Sequence, residues 1–360
     1  MSTVTGMPRR AIVRPKRRAW RWVVSILAVL LVAIAALGGW ILSSAQNAVD
    51  KSMNGQGGSA IDILMPKPLN NEGTGRVNVL ITGNSFDDEG HQGAALTDSI
   101  TVASMDLVNK KITLISIPRD MWVDYNGTKM KINNVFPAAA GGTAAADGLG
   151  DWRKGLDALG TVAERITGLR IDQKILVGYT ALKDTVDAVG GIDVDITQTA
   201  TDKRGIYDAN VHLTLPYAVV HINGEDALKL ARARNHPMPG EKPYGIADGD
   251  FGRGRNQRLI MAALQTKAKT SPALANPAAI VAIFDSISTN VRTDLSVSQI
   301  RRLYDIGAAA EAPSSISVRG PHDKLLITDY TKGGVDALVP IAGTFEYEAI
   351  QKYIETTLKG

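Results

Sequence analysis

The chain has 360 residues, 44% of them hydrophobic and 21% charged, a globular composition with ample length for a buried core; it excludes a disordered or collagen-like chain. There is no cysteine, which excludes disulfides, thiolate metal sites, iron–sulfur clusters and a cysteine nucleophile, and five scattered histidines argue against a multi-histidine metal site. The net charge of +4 belongs to the N-terminus: residues 1–21 hold seven cations and no acid, and taking those from the 40 basic residues leaves 33 against 36 acidic ones. The remainder is mildly acidic and gives no case for nucleic acid as a partner.

Residues 22–42 (WVVSILAVLLVAIAALGGWIL) carry no charge. At about 1.5 Å per residue this run matches a hydrocarbon core of roughly 30 Å, and it predicts a transmembrane helix with Trp20, Trp22 and Trp40 near its ends. The positive-inside rule then places residues 1–21 in the cytoplasm and residues 43–360 outside the cell membrane. A cleaved signal peptide is the competing reading; the apolar run is long for one, and the small residues after it make a poor cleavage site. Residues 43–76, rich in Ser, Asn, Gly and Pro, read as a linker, so that the folded domain runs over 77–360.

Strands are predicted at 77–83 (VNVLITG), 99–105 and 111–117, the last ended by Pro118. The Ala/Gly-rich stretch 138–150 reads as a loop or flap. Apolar spacing predicts a helix over 152–166, followed by a strand at 174–179 and a helix over 180–191 with Thr180 as N-cap and Gly190 just past its end. A strand at 192–196 follows, then helices over 224–234, 255–269, near 277–288 and over 296–309, and a short strand near 315–318. Alternating strands and helices predict a layered α/β domain. No G-x-S-x-G elbow, P-loop or H-E-x-x-H is present.

What the sequence does offer is basic residues at the ends of elements. Arg119-Asp120 follows a strand, Lys131 sits just beyond, Arg232 and Arg234 close a helix, and Arg253 and Arg255 open another behind Asp250. Strand ends and the adjacent helix starts form the ligand crevice of open α/β sheets. Several guanidinium forks there suit a diphosphate better than a single carboxylate. Each feature also has a plainer reading. Arg232 and Arg234 could complement a helix dipole, Arg119-Asp120 could be a surface turn, Arg253 and Gln257 could be a solvated i,i+4 stripe, and Asp98 could be a turn residue. Arg232 and Arg234, two apart, share a pocket only if the helix ends between them.

Taken in order, NVLITG (78–83), TDSITVASMDLVNKKITLISIPRDMWVD (97–124), KIN (131–133), GYTALKDTVDAVGGIDVDI (178–196), INGEDALKLARARN (222–235) and DFGRGRNQR (250–258) resemble the LytR-CpsA-Psr family over about residues 77–310. The resemblance implies an α-β-α sandwich around a central mixed sheet with an apolar tunnel. It implies a membrane-anchored, Mg²⁺- or Mn²⁺-dependent phosphotransferase that moves an anionic glycopolymer from a polyprenyl (undecaprenyl or decaprenyl) diphosphate carrier to peptidoglycan. By that resemblance Arg119, Arg232, Arg234, Arg253 and Gln257 bind the diphosphate. Asp98 holds the metal and takes part in catalysis with Arg119, Asp120 and Arg253, while Lys131 also meets the diphosphate and Asp250 supports the site. Hydrolysis of the diphosphate, or a non-catalytic role in wall assembly, are the alternatives. Two departures bear on the metal: the chain has Ser85 where many members have Asp, and Leu96 where many have Arg. Asp87 and Asp88 are the nearest substitutes for the missing carboxylate.

Overall fold

The computed structural model describes residues 66–87, 95–141, 149–235, 239–247, 249–270, 288–321, 324–331 and 334–360. The basic tail, the apolar run 22–42, most of the linker, Asp88 and the helix expected near 277–288 lie outside the described residues. Among the described residues, no helix is long and apolar enough to cross a membrane.

Strands β1 (Arg76–Gly83), β2 (Ser99–Asp106) and β3 (Lys111–Ser116) form an antiparallel meander, with Gly83 opposite Ser99 and Thr101 opposite Ser116. The hairpin β4 (Trp122–Tyr125) and β5 (Thr128–Lys131) follows, then helices α1 (Val135–Ala140) and α2 (Trp152–Thr167). Strand β6 (Gln173–Val177) pairs parallel with β1, and α3 (Tyr179–Ala188) leaves its end. Short strands β7 (Ile192–Asp195), β8 (Ile206–Asp208), β9 (Leu213–Leu215) and β10 (Val219–Ile222) lead to α4 (Gly224–Arg232) and the long α5 (Asp250–Thr270). The chain closes with β11 (Val291–Thr293), α6 (Val297–Ala309), β12 (Ser314–Ser317), the hairpin β13 (Ile327–Tyr330) and β14 (Ala337–Pro340), and α7 (Glu348–Lys359). The main sheet is mixed, in the order β11-β6-β1-β2-β3-β12.

Period-two patterning sends alternate side chains to opposite faces. Leu80, Ile100, Val102 and Ile115 share one core with Leu156, Leu159 and Val162 of α2 and Ile350 and Ile354 of α7. Val77, Val79, Met105 and Leu114 share another with Leu295 and Ile306, joined by Leu303 of α6 and Met261 of α5. Helices thus cover both faces, as expected for a layered α/β fold around a mixed sheet. A third core lies within a smaller lobe, where Val186, Ile192, Val194, Leu213, Leu230 and Ile260 pack together.

Several local expectations are corrected. The packed domain reaches back into the stretch read as linker: Leu69 is 3% exposed, and the Glu72 carboxylate accepts from Arg302 Nε at 2.9 Å. Part of the Ala/Gly-rich stretch is helical, because Val135, Phe136 and Ala140 bury one face of α1 against α2. Thr180 is not the N-cap of α3. Asp87 caps it from outside, accepting from Tyr179 N and Thr180 N at 2.8 Å each. Gly178 permits this, since a Cβ there would collide with that carboxylate. Helix α5 begins five residues earlier than its apolar spacing indicates, and α4 stops at Arg232.

Candidate functional site

The ends of β1, β3 and β6 and the start of β2 fall at one edge of the sheet, because β6 runs parallel to β1 while β2 and β3 alternate in direction. That topology brings Gly83, Ser99, Arg119 and Val177 to one place, where α4 and α5 close over them. The result is a cavity of about 400 Å³. Its polar lining includes Asp98, Arg119, Arg232, Arg234, Arg253 and Gln257. Each of these was a candidate from sequence, and the structure gathers all six around one cavity.

On the sheet side, charges alternate in a chain. Lys131 Nζ donates to Asp120 Oδ1 at 2.7 Å, Asp120 Oδ2 lies 3.5 Å from Arg119 Nε, and Arg119 Nη1 donates to Asp98 Oδ1 at 2.9 Å. Arg253, only 6% exposed, donates from Nη2 to the Asp98 carbonyl at 3.1 Å. Gln257 ties the walls together: Ser99 Oγ donates to its Oε1 at 2.9 Å, and its Nε2 donates to the Ala231 carbonyl at 3.1 Å. On the far wall the Arg232 guanidinium lies 5.1 Å from the centre of the Tyr179 ring, within cation–π range. Arg234 follows the end of α4, so the two arginines do share the cavity.

Lys131 and Asp120 are not in the cavity wall. They form the outer links of the ion chain, so Lys131 stands behind Asp120 rather than in the cavity wall. Asp250 is the first residue of α5.

Helix α5 explains how one cavity can be both charged and apolar. Arg253, Gln257, Ile260, Met261 and Leu264 recur at i, i+4, i+7, i+8 and i+11, which is a single stripe on an α-helix, and all five line the cavity. The stripe is polar at the helix start and apolar beyond, over a rise of about 16 Å. Leu182, Val211 and Leu228 complete the apolar end. The start of α5 also directs the positive end of its dipole to the polar end of the cavity.

One more cation lies behind this wall. Arg258 is 7% exposed, donates from Nη1 to Ser116 Oγ at 2.5 Å and meets Ser315 Oγ, and its guanidinium finds no carboxylate partner among the described residues. Burial, with the neighbouring Arg255 second, pushes it down to about 10.

Carboxylates for a metal are scarce. Among the described residues, no group of three or more His, Asp or Glu side chains is placed to hold an ion. Among the described residues Asp98 is the one carboxylate on the cavity wall and is paired with Arg119, while Asp87 accepts from two amides of α3.

A LytR_cpsA_psr family model matches residues 41–328, about four-fifths of the chain. The chain belongs to this family. A LytR_cpsA_psr relative, the polyisoprenyl-teichoic acid–peptidoglycan teichoic acid transferase TagV of Bacillus subtilis (strain 168), is 27% identical over 316 residues, covering 84% of this chain and 72% of its own. The crystal structure of B. subtilis TagV superposes with a TM-score of 0.55 at 24% identity, over 79% of this chain and 97% of that one. A structure of the family protein YwtF (TagT) with bound octaprenyl pyrophosphate lipid gives a TM-score of 0.53 at 17% identity, over 81% and 93% of the two chains. These likenesses share the LytR_cpsA_psr fold with the present chain.

Sequence reasoning missed the apolar half of the α5 stripe, Tyr179 beneath Arg232, and Asp208. The stripe was open to detection, since Ile260, Met261 and Leu264 continue the Arg253–Gln257 spacing. Tyr179 and Asp208 carry no local signal, because their partners come from other elements.

Proposed function

We propose that this protein transfers an anionic glycopolymer from a polyprenyl diphosphate carrier to peptidoglycan, forming a phosphodiester. The observation that carries the reading is the polar-to-apolar stripe of α5 along the cavity, in which Arg253 and Gln257 suit a diphosphate and Ile260, Met261 and Leu264 suit an isoprenoid chain. The printed name of the TagV relative, a teichoic acid–peptidoglycan transferase, and the octaprenyl pyrophosphate bound by TagT support it.

In this reading Arg119, Arg232, Arg234 and Arg253 neutralise the diphosphate and the charge that builds on it in the transition state, the main requirement of phosphoryl transfer. A hydroxyl oxygen of the peptidoglycan acceptor attacks the phosphorus that bears the glycan. The bond from that phosphorus to the bridging oxygen breaks, polyprenyl monophosphate leaves, and the hydroxyl proton passes to the Asp98 carboxylate and on to water. Arg119 holds Asp98 in place. Among the described residues the cavity wall offers one carboxylate, Asp98, paired with Arg119; together with the diphosphate oxygens it would hold a Mg²⁺ or Mn²⁺ that neutralises phosphate charge, and the steps above use none. Residues 22–42 anchor the chain in the membrane, with the domain on the outer face.

The test uses the full chain in detergent micelles with a short-chain polyprenyl diphosphate glycan and a soluble peptidoglycan acceptor, with and without Mg²⁺. A joined product is expected. Release of free glycan phosphate without joining would identify a hydrolase instead. Protease applied to protoplasts is expected to digest the domain, and protection would overturn the proposed topology.

A further inference from the structure

Asp208, the last residue of β8, is 1% exposed. Among the described residues its carboxylate meets backbone amides from two separate segments. Oδ1 accepts from Asn210 N at 3.0 Å and, more weakly, from Val211 N at 3.4 Å. Oδ2 accepts from Arg234 N at 2.8 Å and Asn235 N at 2.7 Å. Asn210, Val211 and Arg234 all line the cavity, so one carboxylate joins two parts of its wall.

The second pair of bonds solves a geometric problem. Arg232 and Arg234 are two residues apart and would diverge on a continuing helix. Helix α4 ends instead at Arg232: Ala233 turns extended at φ −62°, ψ 131°, and Asn235 takes the left-handed conformation at φ 60°. A non-glycine residue in that region needs surrounding structure to hold it. The amides of residues 234 and 235 are what Asp208 grips, and amide bonds to an ionised carboxylate are the strong kind.

We propose that Asp208 is a positioning residue for the diphosphate site, holding the backbone of Arg234 so that its guanidinium meets the phosphate opposite Arg119 and Arg253. This rests on the diphosphate reading given above.

The experiment is a double-mutant cycle on the full chain in micelles, titrated with geranylgeranyl diphosphate and with inorganic pyrophosphate. Arg234→Ala is expected to weaken both about tenfold. Asp208→Asn replaces one of the two accepting oxygens with a donor and should weaken them by a similar factor. Combining Asp208→Asn with Arg234→Ala should then add little, whereas combining it with Arg232→Ala should multiply the losses. Multiplying losses with Arg234→Ala, or unchanged affinity in Asp208→Asn, overturns the inference while leaving the site reading intact. If wild type binds neither probe, the site reading fails and this inference with it. Should Asp208→Asn not fold, Asn235 addresses the same turn: Asn235→Gly should bind like wild type and Asn235→Val should lose the Arg234 contribution. Equal binding by those two variants counts against the role.

Discussion

The two walls of the cavity place their arginines by different physics. On the sheet side, position comes from opposite charges in sequence, Lys131–Asp120–Arg119–Asp98, at strand ends whose spacing the sheet fixes. On the lobe side, Arg232 rides the last turn of α4 over Tyr179 and Arg234 sits on a turn gripped through its backbone. A side chain lost from the first wall leaves carboxylates facing the substrate; one lost from the second removes a donor and leaves the local charge order intact.

The largest expected effect follows from that asymmetry. Arg119→Ala removes a phosphate donor and also leaves Asp98 to repel the diphosphate, so turnover should fall at least about a hundredfold. Arg232→Ala should cost nearer tenfold in diphosphate affinity. Adding Asp98→Asn to Arg119→Ala should recover part of the binding, as measured by titration with pyrophosphate. Equal losses from the two arginines, with no recovery, would show that both walls act only as summed positive charge.

A second prediction separates the ends of the α5 stripe. Leu264→Trp narrows the apolar end several turns from Arg253. Affinity for a long-chain polyprenyl diphosphate should drop about tenfold or more, from the steric cost of overfilling a packed site, while pyrophosphate binding stays within about twofold. A parallel loss of pyrophosphate would mean that the two ends are not independent.

Arg258 gives a smaller effect with opposite signs in two assays. Burying a guanidinium between hydroxyls is costly, and even a buried ion pair replaced by apolar side chains of similar volume is often neutral or stabilising by roughly 1–4 kcal/mol; a cation with no carboxylate partner has less attraction to lose. Arg258→Met should therefore raise the melting temperature by a few degrees. It should also weaken diphosphate binding about threefold, because a buried positive charge behind the sheet wall acts at low dielectric. A lower melting temperature would make Arg258 a structural hydrogen-bonding residue.

How far the sequence discloses this site differs between the walls. The sheet-side residues follow strands whose apolar runs are unmistakable, and strand ends locate Arg119 and Asp98 directly. The Arg253–Gln257 pair was legible from helical spacing. The lobe-side geometry was not, because the turn after α4 is held by hydrogen bonds to Asp208, 26 positions before Arg234 and on another element. The capping of α3 by Asp87 is hidden for the same reason, with donor and acceptor 92 positions apart. The C-terminal hairpin and α7 were also missed, since short strands such as ITDY and ALVP show too few residues for a period to register.

The mildest prediction concerns the opposite end of the sheet, away from both walls. Leu69 is buried under α6, and Glu72 fastens the segment by accepting from Leu69 N at 2.8 Å and from Arg302. The Arg302 hydrogen bond, against some opposing desolvation, holds the Glu72 carboxyl below its ordinary value of 4.5. A depressed carboxyl pKa contributes stability that is present above the unfolded value and lost as pH falls through the folded one. Between pH 6 and pH 3, the amide protection factors of residues 69–75 should therefore fall before those of β1, and Glu72→Gln should show part of that loss already at pH 7. The pair is partly exposed, so the change should stay below about 1 kcal/mol. Because the segment packs on the α6 side and not on the cavity, diphosphate affinity at pH 7 should be the same in Glu72→Gln and wild type; a loss there would couple the far end of the sheet to the arginine walls.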